Sequence, residues 1–126
     1  MPDSLWPDDI GKSALVTPVS ILKEQASALG TATQQLVKGE VETDTRGNQF
    51  VHHFNLVVPT LSNYTYELLT VQHSIELYPV YANSPKISGV TERIENQDDL
   101  KEWLKMVFAS EKTRSVVQSL IAQARS

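Results

Sequence analysis

The chain has 126 residues, 40% of them hydrophobic and 21% charged, which suits one domain around a single core. Its formal net charge of -4 and its lack of cysteine exclude a disulfide framework, a thiolate metal site and a cysteine nucleophile, and they oppose non-specific binding to nucleic acid or an anionic membrane. No apolar run approaches membrane-spanning length, and Asp3, Asp8 and Asp9 stand where a signal peptide would be basic, so the expectation is a soluble, cytoplasmic protein.

Residues 1–16 read as an acidic N-terminal arm, and residues 17–126 as a single α+β domain. Pro2 and Pro7 oppose a helix in the arm, and its Asp residues keep it solvated. Leu5, Trp6 and Ile10 are apolar all the same. Either the arm packs loosely on its own domain, or it docks a partner or a second subunit.

Thr17-Pro18 is a helix start, a capping hydroxyl followed by proline at the first helical position. Ile21, Leu22, Ala26 and Leu29 then recur at helical spacing, so this helix should cover a sheet. Gly30 is expected to end it in the left-handed region, with continuation to Leu36 as the alternative.

The stretch from Gln35 to Tyr81 reads as an antiparallel β-meander of three to four strands. Its central strand runs from Gln49 to Val58, where Phe50, His52, Phe54, Leu56 and Val58 alternate onto a core face. Val51, His53, Asn55 and Val57 take the other face. The preceding strand carries Val37, Gly39, Val41 and Thr43 on one side and Lys38, Glu40 and Glu42 on the other. A hairpin loop at Arg46-Gly47 would set Phe54 opposite Gly39 and His53 opposite Glu40; a three-residue loop with Gly47 left-handed is the alternative. Tyr64 to Val71 forms the next strand, with Tyr64, Tyr66 and Leu68 extending the core face and Thr65, Glu67, Leu69 and Val71 on the far one. A fourth strand from Glu76 to Tyr81 would contain Pro79, which confines it to an edge. Lys86 to Glu95 could hold a short strand, weakened by Gly89.

Two helices close the chain. Asn96 caps the first, with Asp98 and Asp99 in its first turn and an apolar stripe of Leu100, Trp103, Leu104, Val107 and Phe108. Ser110 caps the second, whose stripe is Val116, Val117, Leu120, Ile121 and Ala124. The order helix, meander, helices resembles that of small bacterial accessory proteins such as secretion chaperones and toxin-immunity proteins, a likeness of architecture alone.

The residues suggest little chemistry. His52 and His53 point to opposite faces of one strand, so they cannot share a metal, and neither a metal site nor a cofactor is expected. His52 reads as a satisfied core histidine. His53, with Glu40 and Glu67 nearby, is the candidate general base, although no nucleophile or oxyanion donor accompanies it. The leading expectation is a non-catalytic interaction protein, an adaptor, chaperone-like or immunity-like, acting through a sheet or helix surface. The alternative is a small-ligand binder or enzyme with a pocket near His53 and the tyrosines Tyr64, Tyr66, Tyr78 and Tyr81. Val51, Val57, Leu69 and Val71 on the far sheet face, with Leu5 and Trp6 of the arm, form the expected partner or dimer surface, and the expected assembly is a homodimer.

Overall fold

The computed structural model describes residues 4–126, so the expectations for Pro2 and Asp3 lie outside the described residues. Helix α1 (Pro18–Ala32) is followed by strands β1 (Lys38–Arg46), β2 (Gln49–Val58) and β3 (Tyr64–His73), then by β4 (Val80–Asn83), β5 (Glu92–Ile94) and helices α2 (Gln97–Ala109) and α3 (Glu111–Ala124). The fold is α+β. The sheet has five strands in the order β1-β2-β3-β4-β5, every pair antiparallel, rather than three to four.

The helix ends follow their caps. Thr17, Asn96 and Ser110 accept hydrogen bonds from the amides of Ser20, Asp99 and Thr113, which satisfies donors that the first turn leaves free. α1 does not stop at Gly30. It ends at Ala32, where Thr33 accepts the Val37 amide at 3.1 Å and Gln34 and Gln35 take positive φ values of 52° and 65° to reverse the chain.

The hairpin between β1 and β2 turns through Gly47-Asn48, one residue later than expected. Gly47 has φ +59°, the sign a type II′ turn needs at its first central position. The later turn slides the register by two residues, so Gly39 pairs with Leu56 and Val41 with Phe54. A slide of two keeps every side chain on its face, and the apolar side of β2 is therefore the core face as expected. Gly39 serves α1 instead: a Cβ there would stand 2.5 Å from Ala26 Cα, so its absence lets helix and strand touch.

A β-bulge in β3 changes more. Phe54 pairs with Leu69 but Asn55 pairs with Glu67, which leaves Leu68 as the extra residue. The bulge inverts the alternation beyond it. Leu69 and Val71 turn to the core face and are fully buried, so they do not form part of the far-face surface expected of them. Leu68 is buried as well.

The fourth strand begins after Pro79 rather than around it, following a cis Tyr78–Pro79 peptide, so the missing amide costs the ladder nothing. β4 is interior, and β1 and β5 are the edges.

One core joins Ile21, Leu22 and Ala26 of α1, Leu100, Trp103, Leu104 and Val107 of α2 and Leu120 of α3 to Phe54, Leu56, Val58, Leu69, Val71, Val80 and Ala82 of the sheet. Those sheet residues share one face, so all three helices lie on that side. The other face is left to Glu40, Glu42, Asp44, Glu67 and Gln72, all exposed, with Val51 and Val57 walled in among them at 5% and 6% exposure.

Candidate functional site

His53 sits in the middle of the helix-free face. Its Nδ1 is 2.6 Å from Glu67 Oε1 and its Nε2 is 3.0 Å from Asp44 Oδ2. Glu67 is the partner expected diagonally across β3. Glu40 is not at the site: it pairs with Asn55, and the two-residue register slide brings in Asp44 from further along β1. A ring nitrogen can donate to each carboxylate only when both are protonated, so the geometry favours the imidazolium. The Glu67 hydrogen bond, with smaller contributions from the charges of Glu67 and Asp44, raises the His53 pKa above 6.5, against a smaller lowering by burial. A general base needs a free nitrogen, and His53 has both occupied. The trio ties β1, β2 and β3 together across the sheet.

His52, one residue earlier, is on the core face. Its Nδ1 lies 2.8 Å from Thr43 Oγ1, its Nε2 lies 2.8 Å from His73 Nε2, and His73 Nδ1 lies 2.6 Å from the Ser74 carbonyl. The carbonyl can only accept, so His73 donates to Ser74 through Nδ1, and one Nε2 of the His52–His73 pair donates to the other. Burial, and then the neighbouring His73, lowers the His52 pKa to about 4.

The tyrosines do not gather into one pocket. Tyr64 and Tyr66 face a shallow hollow under α3, while Tyr81 stands on the opposite sheet face beside Gln72. None of the five best-formed hollows among the described residues is lined by His53.

The most apolar opening is on the helical side, where a crevice of about 370 Å³ lies between α1 and α3. Its floor is Phe54, Leu56 and Leu68, core residues each only 1% exposed, and one wall is Phe108, whose ring lies 5.6 Å from that of Phe54. Ala28, Leu29 and Ala32 of α1 and Val117 of α3 form its lips, with Gln25, Gln118 and Arg114 at the mouth. A second hollow between α1 and α2 continues it, sharing Gln25 and Phe108 and adding Lys101 and Lys105. The volume falls in the lower part of the range of ligand and side-chain pockets, roughly 300–1,000 Å³. Sequence reasoning treated these residues as core. The signal it passed over is in α3, where Val116, Val117 and Ile121 make a stripe wider than the buried contact at Leu120 uses.

Leu5 and Trp6, the arm residues of the expected surface, are exposed at 98% and 71% and belong to no cluster of the domain. No family model, curated protein or solved structure matches the chain.

Proposed function

We propose that this chain is a small non-catalytic interaction protein, adaptor-, chaperone- or immunity-like, that works through the helical side of its fold. The observation that carries the reading is the open crevice between α1 and α3 over Phe54, Leu56 and Leu68. Above that buried floor the exposed Ala28 and Ala32 and the half-buried Leu29, Phe108 and Val117 are reachable, and such an opening suits one or two large apolar side chains of a protein segment. Arg114, Lys101 and Lys105 beside it favour a segment with acidic residues flanking the apolar ones. A homodimer stays within the proposal, but not by pairing of sheets. Leu69 and Val71 face the core, and Val51 and Val57 are already shielded, so the sheet offers little apolar area to bury. A cytoplasmic setting is also proposed, on the lack of cysteine; among the described residues no helix is long and apolar enough to cross a membrane. The rival reading, a small-ligand site or enzyme at His53 and the tyrosines, is less supported: none of the best-formed hollows among the described residues is lined by His53, and both its ring nitrogens face carboxylates.

Affinity capture from the native cell with the tagged full chain tests the reading. A protein captured by the unmodified chain should be lost with Ala28→Glu, which places a charge on the crevice lip, and retained with Glu67→Lys on the opposite sheet face. Loss with Glu67→Lys and retention with Ala28→Glu would move the working surface to the sheet.

A further inference from the structure

The crevice and the arm have complementary needs. Leu5, Trp6 and Ile10 are exposed at 98%, 71% and 60%, an apolar run with nothing to cover it among the described residues. Asp8 and Asp9 follow Trp6 closely, two and three residues on. The crevice and its continuation are apolar, carry Arg114, Lys101 and Lys105, and have no acidic lining residue among the described residues. Apolar side chains followed by two acids therefore meet an apolar slot followed by two lysines.

Building on the reading of the crevice as a protein-docking site, we infer that its occupant is the arm of a second copy, with Leu5 and Trp6 seated between α1 and α3 and Asp8 and Asp9 beside Lys101 and Lys105. The arm stands away from its own domain, which points the contact to another copy. Each copy offers one arm and one crevice, so a reciprocal exchange about a two-fold axis uses both and closes without growing into a filament. The Ile10 amide donates to the Pro7 carbonyl at 3.1 Å and the Lys12 amide to the Asp9 carbonyl at 3.0 Å, so part of the arm is already shaped and less chain is ordered on docking. The arm then competes with any outside partner, and the dimer is the capped form of the crevice.

Sedimentation velocity of the full chain across the micromolar range, at low and high salt, tests this. The unmodified chain should form a dimer that weakens with salt. Leu5→Asp with Trp6→Asp on one chain, and Ala28→Glu on another, should each leave a monomer. All three positions are exposed, so folding is not at stake, and unchanged circular dichroism checks that. Mixing the two variants should restore a dimer, because one intact arm meets one intact crevice. Trp6→Ala alone should raise the dimer dissociation constant about 30-fold or more, as expected of an anchoring tryptophan. A monomeric unmodified chain, or a dimer that survives in both variants, overturns the inference. The dye 8-anilinonaphthalene-1-sulfonate separates the two readings. If the arm variant enhances its emission and adding Ala28→Glu abolishes the effect, the crevice stands even where arm exchange fails. If the arm variant gives no enhancement, both readings fall.

Discussion

His52 and His53 are adjacent in sequence and sit on opposite faces of β2, and the sheet shifts their pKa values in opposite directions. On the helical face His52 is desolvated by burial and lies beside His73, which lowers its pKa to about 4. On the open face His53 lies between Glu67 and Asp44, which raises its pKa. The contrast extends to the faces themselves. The helical side is apolar packing interrupted by hollows between its helices, the crevice among them. The open side is polar, and its two valines are sealed by neighbouring side chains. On the proposed reading, incomplete packing rather than an unusual histidine environment marks the working surface.

Substitutions should separate the faces by size of effect. Phe54→Ala removes the crevice floor and a core ring together, and urea unfolding should show a loss of about 3–5 kcal/mol. A loss under about 1 kcal/mol would mean that the floor is not part of the core. Acid comes next. The unfolded chain protonates His52 below about 6.5, whereas the folded chain resists until about 4. The His52 contribution is thus whole above pH 6.5 and is lost as pH falls towards 4, on the order of 3 kcal/mol. His52→Gln should flatten that limb of the stability profile, and an imidazole titration of His52 near 6.5 by NMR would refute its burial as a neutral ring.

Gly39→Ala forces a Cβ against Ala26 of α1, where backbone rather than a flexible side chain must give way. The expected loss is about 1–3 kcal/mol in thermal or urea unfolding. An unchanged midpoint would show that α1 is free to shift off the sheet. The smallest effect belongs to the open face. His53→Gln breaks contacts to two half-exposed carboxylates and should cost only about 0.2–1 kcal/mol. Its sign with pH is opposite to that of His52. Because the folded pKa is raised, the stabilisation is full below about 6.5 and disappears as pH rises through the folded value. The variant should therefore differ from the unmodified chain at pH 6 and converge with it at alkaline pH.

The parts legible in the sequence are those decided locally. Thr17, Asn96 and Ser110 announce three helix starts, and the alternation of Phe50 to Val58 identifies the core face of the central strand. The hairpin register was not legible, because a slide of two preserves both faces; only the turn geometry at Gly47 distinguishes the alternatives, and with it goes the exchange of Glu40 for Asp44 at His53. The bulge leaves one trace. Tyr64, Tyr66 and Leu68 alternate in one phase and Leu69, Val71 and His73 in the other, so the adjacent leucines mark where the phase breaks. Reading through that break sends Leu69 and Val71 to the wrong face. The crevice has no local signal at all, since it is a gap between helices that are far apart in the chain.

Methyl NMR of the full chain carrying Leu5→Asp and Trp6→Asp, titrated with 8-anilinonaphthalene-1-sulfonate, tests most directly whether the helical side is the working surface. The account predicts that Leu29, Leu56, Leu68 and Val117 methyls shift while those of Val51 and Val57 stay in place. Shifts at Val51 and Val57 with none at the crevice would contradict it and assign the binding surface to the open face of the sheet.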